Sequence, residues 1–368
     1  MTDPFALADG LGPEKIVHLH DAAVGLRAIV VIDNTAAGPS IGGVRMADDA
    51  SLGECARLAR AMTFKNAAAG LPHGGGKSVI LGNPAMAGKE RLVRAFARAI
   101  AELGGYIPGP DMGTDETAMA WVHDEIGRAV GLPRVLGGIP LDQIGITGFG
   151  LGVAADAAQA FCGLRLDGAS VAIQGFGSVG MNAATALAGM GARLVAVSDS
   201  GGSITHPKGL PIDDLIALKR ASRSVTALAG ATALAGEATI TAQCDILVPA
   251  ARPDVITQAN ARDVKARLVL EGANIPTSAA AERILHDRDV LVVPDFIANA
   301  GGVICASVEY RGGTESDARA AVTEKIRANT VEVLARARDT GAMPREAAQA
   351  MALARIHEAM SYGRFTGA

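Results

Sequence analysis

The chain has 368 residues, which is long enough for two domains with hydrophobic cores of their own. Hydrophobic residues make up 49% of it and charged residues 20%, a composition that is typical of a globular protein and excludes a disordered one. The net charge of −4 comes from 34 basic and 38 acidic residues spread along the chain. Because nucleic-acid-binding proteins concentrate basic residues in a stripe, no nucleic-acid partner is predicted.

The cysteines, the histidines and the apolar runs bear on location and on metal binding. The four cysteines form no Cys-x-x-Cys pair, which favours reduced thiols in the cytoplasm. No basic stretch and apolar core open the chain, so we predict no signal peptide. No uncharged apolar run reaches the ~18 residues of a membrane helix, so we expect no membrane partner. The seven histidines form no ligand motif, and no metal is predicted.

The first part of the chain mixes helices and strands. Up to Ile32 the pattern predicts a helix followed by a strand that ends at Asp33-Asn34. Further helices are predicted over residues 53–69, 89–103 and 114–130, with a short strand over residues 78–81. Thr114 is the predicted N-cap of the third of these helices.

After residue 137 short β-branched runs alternate with helical stretches. Strands are predicted over residues 171–174, 194–198, 246–248, 268–270 and 290–293, and helices from residue 303 onward. Strands that alternate with helices indicate a parallel sheet with crossover helices. We therefore predict an α/β fold with an N-terminal α/β domain over residues 1–135 and a doubly wound Rossmann domain over residues 136–330. C-terminal helices over residues 331–368 are expected to pack back on the first domain.

A glycine-rich turn lies between a predicted strand and a predicted helix. Its sequence, Gly175-Phe176-Gly177-Ser178-Val179-Gly180, has the spacing that permits a tight turn, a close approach to a pyrophosphate and close helix packing. The helix N-terminus would supply N–H groups to the phosphates. Asp199 ends the next strand, where a carboxylate binds the adenosine ribose and favours NAD over NADP. A glycine turn without a ligand is the less favoured alternative.

Two other glycine clusters need a different interpretation. Residues 148–152 also precede a helix, but the run before them is a poor strand and no acidic residue follows in register, so a structural role is favoured. Residues 74–78 resemble the end of a Walker A loop. That motif needs a glycine where this chain has Leu71, and it needs a strand before the loop and a helix after it. A P-loop hydrolase is therefore not predicted.

Lys65, Lys77 and Asp111 are ambiguous when each is taken alone. A single lysine is more often a solvated surface charge than a catalyst, and an aspartate in a Gly-Pro loop before a helix is more often a cap. His73, between these lysines, is interpreted as a wall residue.

A set of motifs in one order changes that interpretation. They are Gly42-Gly43-Val44-Arg45, Met62–Asn66, Gly70–Lys77, Gly109–Thr114, Glu271–Asn274 and Asn299–Val303. Together they resemble the glutamate/leucine/phenylalanine/valine dehydrogenase family from residue 38 to residue 310. The resemblance implies an NAD-dependent enzyme that interconverts an L-amino acid with its 2-oxo acid and ammonia, and a homo-oligomer formed through the N-terminal, substrate-binding domain. A relative that kept the fold without catalysis would lack Lys77 or Asp111, and both are present.

The resemblance also assigns roles to single residues. Lys65 would bind the α-carboxylate, Lys77 would activate water, and Asp111 would shuttle protons to and from the nitrogen. Asn274 would position the substrate beside the nicotinamide, and Thr147 would bind the carboxamide. The resemblance also implies that Gly43 contacts the substrate and that Ala250 and residues 175–180 contact the cofactor.

The sequence also indicates which kind of substrate side chain the enzyme accepts. Glutamate enzymes of the family carry a lysine where this chain has Ile41 and a serine where it has Ala306. A buried carboxylate without a partner costs several kcal/mol, so a pocket of Ile41, Gly109, Val303 and Ala306 predicts a hydrophobic amino acid of the leucine, valine or phenylalanine type. Gly109 and Ala306 are expected to leave extra room unless Met46 fills it.

A glutamate dehydrogenase acting on 2-oxoglutarate remains the alternative. Residues 197–200 and 271–277 resemble the glutamate branch of the family more than the leucine branch.

Overall fold

The structure, a computed structural model, describes Asp3 and residues 5–141, 143–235 and 238–363. It consists of two compact units. The first contains Met1–Pro140, Val303–Ala318 and Met351–Ala368, and the second contains Leu141–Gly302 and Arg319–Ala350.

The first unit is built on a mixed sheet. Its strands are β1 (Lys15–Asp21), β2 (Leu26–Asn34), β3 (Ser40–Ala47), β4 (Gly75–Leu81) and β5 (Tyr106–Pro110), in the spatial order β1-β2-β4-β3-β5. β2 is antiparallel to β1 and β4, whereas β3 is parallel to β4 and β5. Helix α1 (Leu52–Ala68) joins β3 to β4, α2 (Lys89–Ala99) joins β4 to β5, and α3 (Glu116–Ile126) follows β5.

Both faces of this sheet are buried. Successive side chains of a strand point to opposite faces, so Val30 packs in one core cluster with Phe96 of α2 and Met119 of α3. Its neighbour Val31 packs in a second cluster with Ala59 of α1. Burial on both faces explains why β2 reads as a continuous apolar run rather than as an alternating one.

The structure of the first unit differs from the sequence predictions in three places. The helix predicted before Ile32 is wrong, because this segment forms a hairpin in which Lys15 pairs with Ile32. β3 and β5 were not predicted, since glycines and prolines disfavour strands. Thr114 is not the N-cap of α3: the Asp115 carboxylate accepts the Ala118 N–H instead, and α3 ends at Gly127 in the left-handed conformation.

The second unit contains a parallel sheet with an antiparallel extension. Its strands are β6 (Ser170–Gln174), β7 (Arg193–Asp199), β8 (Gly202–Thr205), β9 (Thr232–Leu234), β10 (Ile246–Pro249), β11 (Leu268–Leu270) and β12 (Leu291–Val293). Their spatial order is β12-β11-β10-β6-β7-β8-β9. The five strands from β12 to β7 are parallel, and β8 and β9 are antiparallel. The predicted strands and the Rossmann-like sheet are thus confirmed, whereas the antiparallel pair was not predicted.

The helices of the second unit begin with α4 (Ile146–Cys162), followed by α5 (Ser178–Ala188), α6 (Ile212–Arg220), α7 (Ala279–His286) and α8 (Asp295–Ala298). The glycine cluster at residues 148–152 lies inside α4. A Cβ at Gly148 would lie 2.5 Å from the Ala183 nitrogen, and one at Gly152 would lie 2.8 Å from the Ala186 Cβ. These glycines allow α4 to pack closely on α5, which agrees with the structural interpretation.

The chain after residue 300 is helical, as predicted, with α9 (Gly301–Tyr310), α10 (Glu315–Thr340) and α11 (Pro344–Ser361). The predicted division at residues 330/331 differs from the one observed, because residues 319–350 belong to the second unit. The cause is packing: Ile326 of α10 fills the space beside Gly150 of α4, where a Cβ would lie 2.6 Å from its Cδ1. From residue 351 the chain belongs to the first unit, where Arg355 donates to the Ala68 carbonyl. Residues 364–368 of the predicted tail lie outside the described residues.

Within the described residues, no helix combines the length and the apolar character needed to cross a bilayer.

Candidate active site

Two predicted catalytic residues meet across one strand of the sheet in the first unit. Lys77 lies in β4, and Asp111 directly follows β5, with β3 between the two strands. The Lys77 Nζ forms an ion pair with the Asp111 Oδ2, and the two side chains are 7% and 22% exposed. The pair is therefore largely shielded from water, which strengthens its electrostatic interaction.

Gly43 is the position on β3 over which this ion pair forms. A Cβ at Gly43 would lie 2.7 Å from the Asp111 Cβ and 3.1 Å from the Lys77 Nζ. Any larger residue at this position would push the two side chains away, so the glycine is required by their approach. This contact explains why a glycine occupies the middle of a buried strand.

The loop after β5 fixes the Asp111 carboxylate. The Asp111 N–H donates to the Thr114 Oγ1 at 3.0 Å, and the Thr114 hydroxyl donates to the Val44 carbonyl at 2.7 Å. The Arg45 Nε donates to the Asp111 Oδ2 at 3.1 Å. Burial opposes ionisation, but Lys77, the Met112 N–H and Arg45 together hold the pKa of Asp111 below its usual value. Asp111 is thus a carboxylate that two cations contact.

Arg45 ends one of the family motifs, but the sequence assigns it no role. Its guanidinium contacts both Asp111 and Glu54 of α1. The available signal was the arginine that ends Gly42-Gly43-Val44-Arg45, since alternation along a strand places residues 43 and 45 on the same face.

Lys65 lies in the last turn of α1, the helix that packs on β4, and its side chain is half-buried. The Asn66 Nδ2 donates to the Gly74 carbonyl at 2.7 Å and so fixes the glycine run that leads into β4.

His73 is buried in the glycine run before β4. Its Nδ1 lies 3.1 Å from the Pro39 carbonyl, and its ring packs edge-on against Tyr310. Burial lowers the pKa of His73, which agrees with a neutral wall residue.

Four apolar side chains form a small buried cluster beside the ion pair's strands. They are Ile41 of β3, Ile107 of β5, Val130 and Ala306 of α9. Ile41 and Ala306 were predicted to line the substrate pocket, and the structure brings them together. Val303, one turn before Ala306 on α9, is half-buried.

The room expected at Gly109 is taken by Val130, which the sequence reasoning missed. A Cβ at Gly109 would lie 3.0 Å from the Val130 Cγ2. Met46, which we considered as the filler, is fully buried in the other core cluster with Val44. The expectation of extra space at Gly109 is therefore wrong, because a residue distant in the sequence occupies it.

Hydrogen bonds hold Val130 in place. Its N–H donates to the Pro108 carbonyl at 2.9 Å. The loop that follows is fastened to α9 by Glu309, whose carboxylate accepts the N–H groups of Leu132 at 3.0 Å and Ile139 at 3.1 Å. Burial raises the pKa of Glu309, and these N–H donors oppose the shift. The wall opposite Gly109 is thus a fixed part of the first unit.

The glycine turn of the second unit has the shape of a dinucleotide cradle. Gly175 has φ +97°, a Cβ there would lie 2.6 Å from the Ala251 Cβ, and a Cβ at Gly180 would overlap the Gly175 carbonyl oxygen. By contrast, no described atom lies within 4 Å of the Cβ position of Gly177. Gly177 is also the N-cap of α5, and no described side chain caps that helix end. The turn fits a pyrophosphate that approaches Gly177 and accepts the exposed N–H groups.

The other residues of this turn differ in exposure. Phe176 is fully buried, and its N–H donates to the Ser198 carbonyl at 2.8 Å, so its side chain belongs to the core. Ser178 and Val179, in the first turn of α5, are half-buried.

The segment that carries Asn274 lies beside the glycine turn. The N–H groups of Gly272 and Ala273 donate to the Pro249 carbonyl at the end of β10. A Cβ at Gly272 would lie 3.2 Å from the Ala250 Cβ and 3.3 Å from the Val179 Cγ1. These residues follow the carboxyl ends of the parallel strands β6, β10 and β11. The strand order reverses between β6 and β10, and open α/β sheets bind ligands at such a point.

Asn274 is exposed, and its Oδ1 accepts the Asn299 Nδ2 at 3.1 Å. Thr147 lies in the first turn of α4, with its Oγ1 3.7 Å from the Cβ position of Gly302. The second unit thus brings Ala250, Val179 and the Asn274 segment together, and it places Thr147 against the glycines that open α9.

Asp199 ends β7 as predicted, but its carboxylate is already occupied. The Oδ2 accepts the Lys219 Nζ at 2.6 Å and the Val225 N–H at 3.0 Å. The Oδ1 accepts the Ser224 hydroxyl at 2.8 Å and the Gly201 N–H at 2.9 Å. Burial opposes ionisation, but these donors hold the pKa of Asp199 below its usual value. The charge expected to repel a 2′-phosphate is thus paired with Lys219, which the sequence reasoning did not consider.

Comparison with known families agrees with this geometry. Residues 13–128 match the model described as Glu/Leu/Phe/Val dehydrogenase, dimerisation domain, and residues 137–363 match the model described as Glutamate/Leucine/Phenylalanine/Valine dehydrogenase. The chain belongs to this family. The predicted family and its two-domain α/β fold are confirmed, and the protein is an amino acid dehydrogenase of a family that uses a nicotinamide cofactor.

Several curated relatives of this chain are named glutamate dehydrogenases. The glutamate dehydrogenase of Aeropyrum pernix is 40% identical over 82% of this chain and 77% of its own length. The NADP(+)-dependent glutamate dehydrogenase of Pyrobaculum calidifontis is 38% identical over 89% of this chain and 84% of its own length. The NAD-specific glutamate dehydrogenase of Staphylococcus aureus is 39% identical over 75% of this chain and 70% of its own length.

Solved structures that are similar to this chain include enzymes that are named for, or bound to, amino acids other than glutamate. The hetero-hexameric glutamate dehydrogenase of Thermus thermophilus, in its leucine-bound form, has a TM-score of 0.83 and 31% identity, over 97% of this chain and 90% of that one. The L-tryptophan dehydrogenase of Nostoc punctiforme has a TM-score of 0.77 and 27% identity, over 95% of this chain and 97% of that one. The family fold thus serves both acidic and apolar amino acids.

Proposed function

We propose that this chain is an NAD-dependent dehydrogenase of hydrophobic L-amino acids of the leucine, valine or phenylalanine type. The observation that carries the proposal is the buried cluster of Ile41, Ile107, Val130 and Ala306. None of these side chains has a group that pairs with a carboxylate, and a carboxylate buried without a partner costs several kcal/mol. An apolar side chain, in contrast, gains ~0.8 kcal/mol for each CH₂ that it buries there.

The acid–base chemistry belongs to Lys77 and Asp111. When bound, NAD would supply the acceptor for the hydride of the substrate Cα. Asp111, as a carboxylate held between two cations, takes a proton from the substrate ammonium group before the hydride leaves and returns it to the nitrogen as ammonia departs. Lys77 orients the water that attacks the resulting iminium carbon and supports the oxygen of the carbinolamine. That water loses one proton as the C–O bond forms and the other as the C–N bond breaks, one to the released ammonia and one to solvent. Lys65 binds the α-carboxylate, and Gly43 leaves space for this arrangement.

NAD is the proposed cofactor, with the turn at residues 175–180 binding its pyrophosphate and Asn274, Thr147 and Ala250 facing the nicotinamide end. Asp199 supports NAD through its negative charge, whereas its pairing with Lys219 weakens that preference. We further propose a homo-oligomer formed through residues 1–135, since the matching N-terminal family model is described as a dimerisation domain.

A glutamate dehydrogenase is the second candidate. Curated relatives that are 38–40% identical to this chain are named glutamate dehydrogenases. This candidate requires a cation other than residue 41 to meet the γ-carboxylate of the substrate.

A reductive amination assay decides between the two candidates. The purified chain is supplied with NADH, ammonia and one of three 2-oxo acids: 2-oxoglutarate, 4-methyl-2-oxopentanoate or phenylpyruvate. We expect a higher kcat/KM for 4-methyl-2-oxopentanoate or phenylpyruvate than for 2-oxoglutarate. The highest kcat/KM with 2-oxoglutarate would establish the glutamate candidate and reject the apolar pocket.

Two substitutions sharpen this assay. Ile41→Lys combined with Ala306→Ser restores both polar partners and should shift the preference towards 2-oxoglutarate by about tenfold or more, the value of one hydrogen bond to a charged group. Val135→Lys is the matched control, because Val135 is 89% exposed. A control that shifts the preference equally would show that added charge, not pocket chemistry, is responsible.

A further inference from the structure

Ile275, next to Asn274, has an unfavourable backbone conformation. Its φ is +48°, in the left-handed region that β-branched residues rarely adopt, and its side chain is 58% exposed. Such a residue costs about 1–3 kcal/mol and persists only where neighbouring groups enforce it. Burial of the Ile275 side chain does not supply that energy, so the enforcing contacts act on its backbone.

Two hydrogen bonds hold this backbone. The Ile275 N–H donates to the Asp295 Oδ2 at 2.8 Å, and the Ile275 carbonyl accepts the Asp254 N–H at 3.0 Å. The Asp295 N–H in turn donates to the Glu271 Oε2 at 2.9 Å. The segment from residue 271 to residue 275 is thus fastened at both ends through carboxylates, with Asn274 between them.

Arg345 of α11 is the cation on which these carboxylates converge. Its Nη1 donates to the Asp295 Oδ1 at 2.8 Å, its Nη2 donates to Glu271, and its Nε donates to Glu282. The three acidic side chains are between 0% and 8% exposed, and the Arg345 side chain is 19% exposed. One guanidinium therefore compensates three buried acidic groups.

Removal of that guanidinium would leave the acidic groups without a counter-charge. Burial and the neighbouring carboxylates already raise the pKa of Glu271 to about 8, so the cluster is poor in positive charge. Uncompensated buried charges turn towards solvent or take up protons. Rotation towards solvent breaks the hydrogen bond from the Ile275 N–H to Asp295, and protonation weakens it, so the strained residue then relaxes.

We propose that Arg345 is a positioning residue for Asn274: through Asp295 it keeps Ile275 in the left-handed conformation and so directs the Asn274 side chain. The functional consequence rests on the proposed role of Asn274 beside the nicotinamide. The structural consequence, an ordered 271–277 segment, does not depend on it.

The first experiment compares Arg345→Met with the wild-type chain. Met keeps a long apolar stem and removes the charge. We expect faster amide hydrogen exchange in peptides that cover residues 271–277, a weaker binding of NADH by fluorescence titration and a fall in kcat, each on the order of tenfold, since small misplacements near the reacting atoms have effects of this size or larger. Arg338→Met is the matched control, because Arg338 is exposed on α10 and pairs with its neighbour Asp339.

The second experiment tests the mechanism by rescue. Glycine adopts positive φ without strain, so Ile275→Gly in the Arg345→Met background should restore part of the NADH affinity and kcat. A merely structural role of Arg345 would lower the melting temperature but give no rescue by glycine at residue 275. Unchanged exchange over residues 271–277, or no rescue, would overturn the proposal.

A third variant covers the case in which Arg345→Met does not fold. Arg345→Lys keeps one charge but reaches fewer carboxylates, so it should show the same changes to a smaller extent. Equal exchange in Arg345→Lys and wild type would also contradict the proposal. If the wild-type chain turns over no 2-oxo acid, the proposed function fails, whereas the exchange experiment still tests Arg345.

Discussion

The two units hold their functional groups by different means. In the first, Lys77 and Asp111 meet because their strands flank β3, and Gly43 leaves them the space to do so. In the second, Asn274 lies on a loop that is fastened by side-chain charges, and the central cation is Arg345. Backbone register therefore determines the first arrangement, and charge compensation determines the second. The first should resist a change in pH, because the pKa of Asp111 lies below its usual value, whereas the second should respond to it, because burial raises the pKa of Glu271 to about 8. Neither arrangement should respond strongly to salt, since largely buried ion pairs are screened little.

Removal of the catalytic pair should have the largest effect on turnover. Lys77→Ala and Asp111→Asn should each lower kcat by about 10²–10⁴, because each removes one member of an acid–base pair. NADH binding should persist, since the cradle at residues 175–180 lies in the other unit. Steady-state kinetics and fluorescence titration measure the two quantities.

Lys65→Ala is the comparison for these variants and should mainly raise the KM for the 2-oxo acid. Near-normal turnover of the Asp111→Asn variant would remove the proton-transfer role from Asp111. Loss of NADH binding in Lys77→Ala would contradict the independence of the two units.

A single methyl group should break the backbone arrangement. Gly43→Ala places a Cβ against Asp111, Lys77 and the Pro110 carbonyl oxygen, so kcat should fall by about 10- to 100-fold and the melting temperature should fall by a few degrees. Gly104→Ala is the control, because no described atom lies within 4 Å of its Cβ position. Equal kinetics for the two variants would show that the ion pair tolerates a displaced strand.

Cofactor choice tests the charge arrangement near β7. Lys219→Ala leaves the Asp199 charge uncompensated and should raise the ratio of kcat/KM with NAD to that with NADP by about threefold to tenfold. Lys208→Ala, at an exposed lysine of the same unit, should leave the ratio unchanged. A lower ratio in Lys219→Ala would show that Lys219 does not assist a 2′-phosphate, and that Asp199 does not repel one.

The last prediction is a pH dependence of stability. Arg345 of α11, Glu282 of α7, Asp295 of α8 and the Thr277 side chain face Glu271, and burial raises its pKa from 4.5 to about 8. The folded chain then holds a proton that the unfolded chain releases. The stability from this group is complete below pH 4.5 and is lost as the pH rises through about 8.

Glu271→Gln keeps the neutral form at every pH. Its free energy of unfolding relative to wild type should therefore increase by ~1 kcal/mol for each pH unit between about pH 5 and pH 8. Denaturant unfolding at several pH values measures this difference. A difference that is constant across this range would show that Glu271 is ionised in the folded chain.

The sequence predicted contacts that arise from local patterns better than those that arise from the fold. The glycine turn, Lys77 and Asp111 belong to short motifs, and each lies where its motif implies. Val130 and Lys219 belong to no motif, because their roles depend on which loop lies over Gly109 and which helix follows β7. The hairpin of β1 was missed for a similar reason, since its pairing with β2 is tertiary information that local propensity lacks.

The position of Val130 has a consequence for how the specificity of this enzyme changes during evolution. Lys77 and Gly43 on their strands, and Asp111 directly after β5, tolerate little variation, because a Cβ at Gly43 would displace the ion pair. In the proposed pocket, Val130 would set the size from a loop outside those strands, and Glu309 fastens that loop at its far end. We expect a mutation at residue 130 to alter the range of substrates while Lys77 and Asp111 keep their positions. Under the proposed function, the range of substrates would thus change by a single substitution in the loop without a change in the catalytic residues.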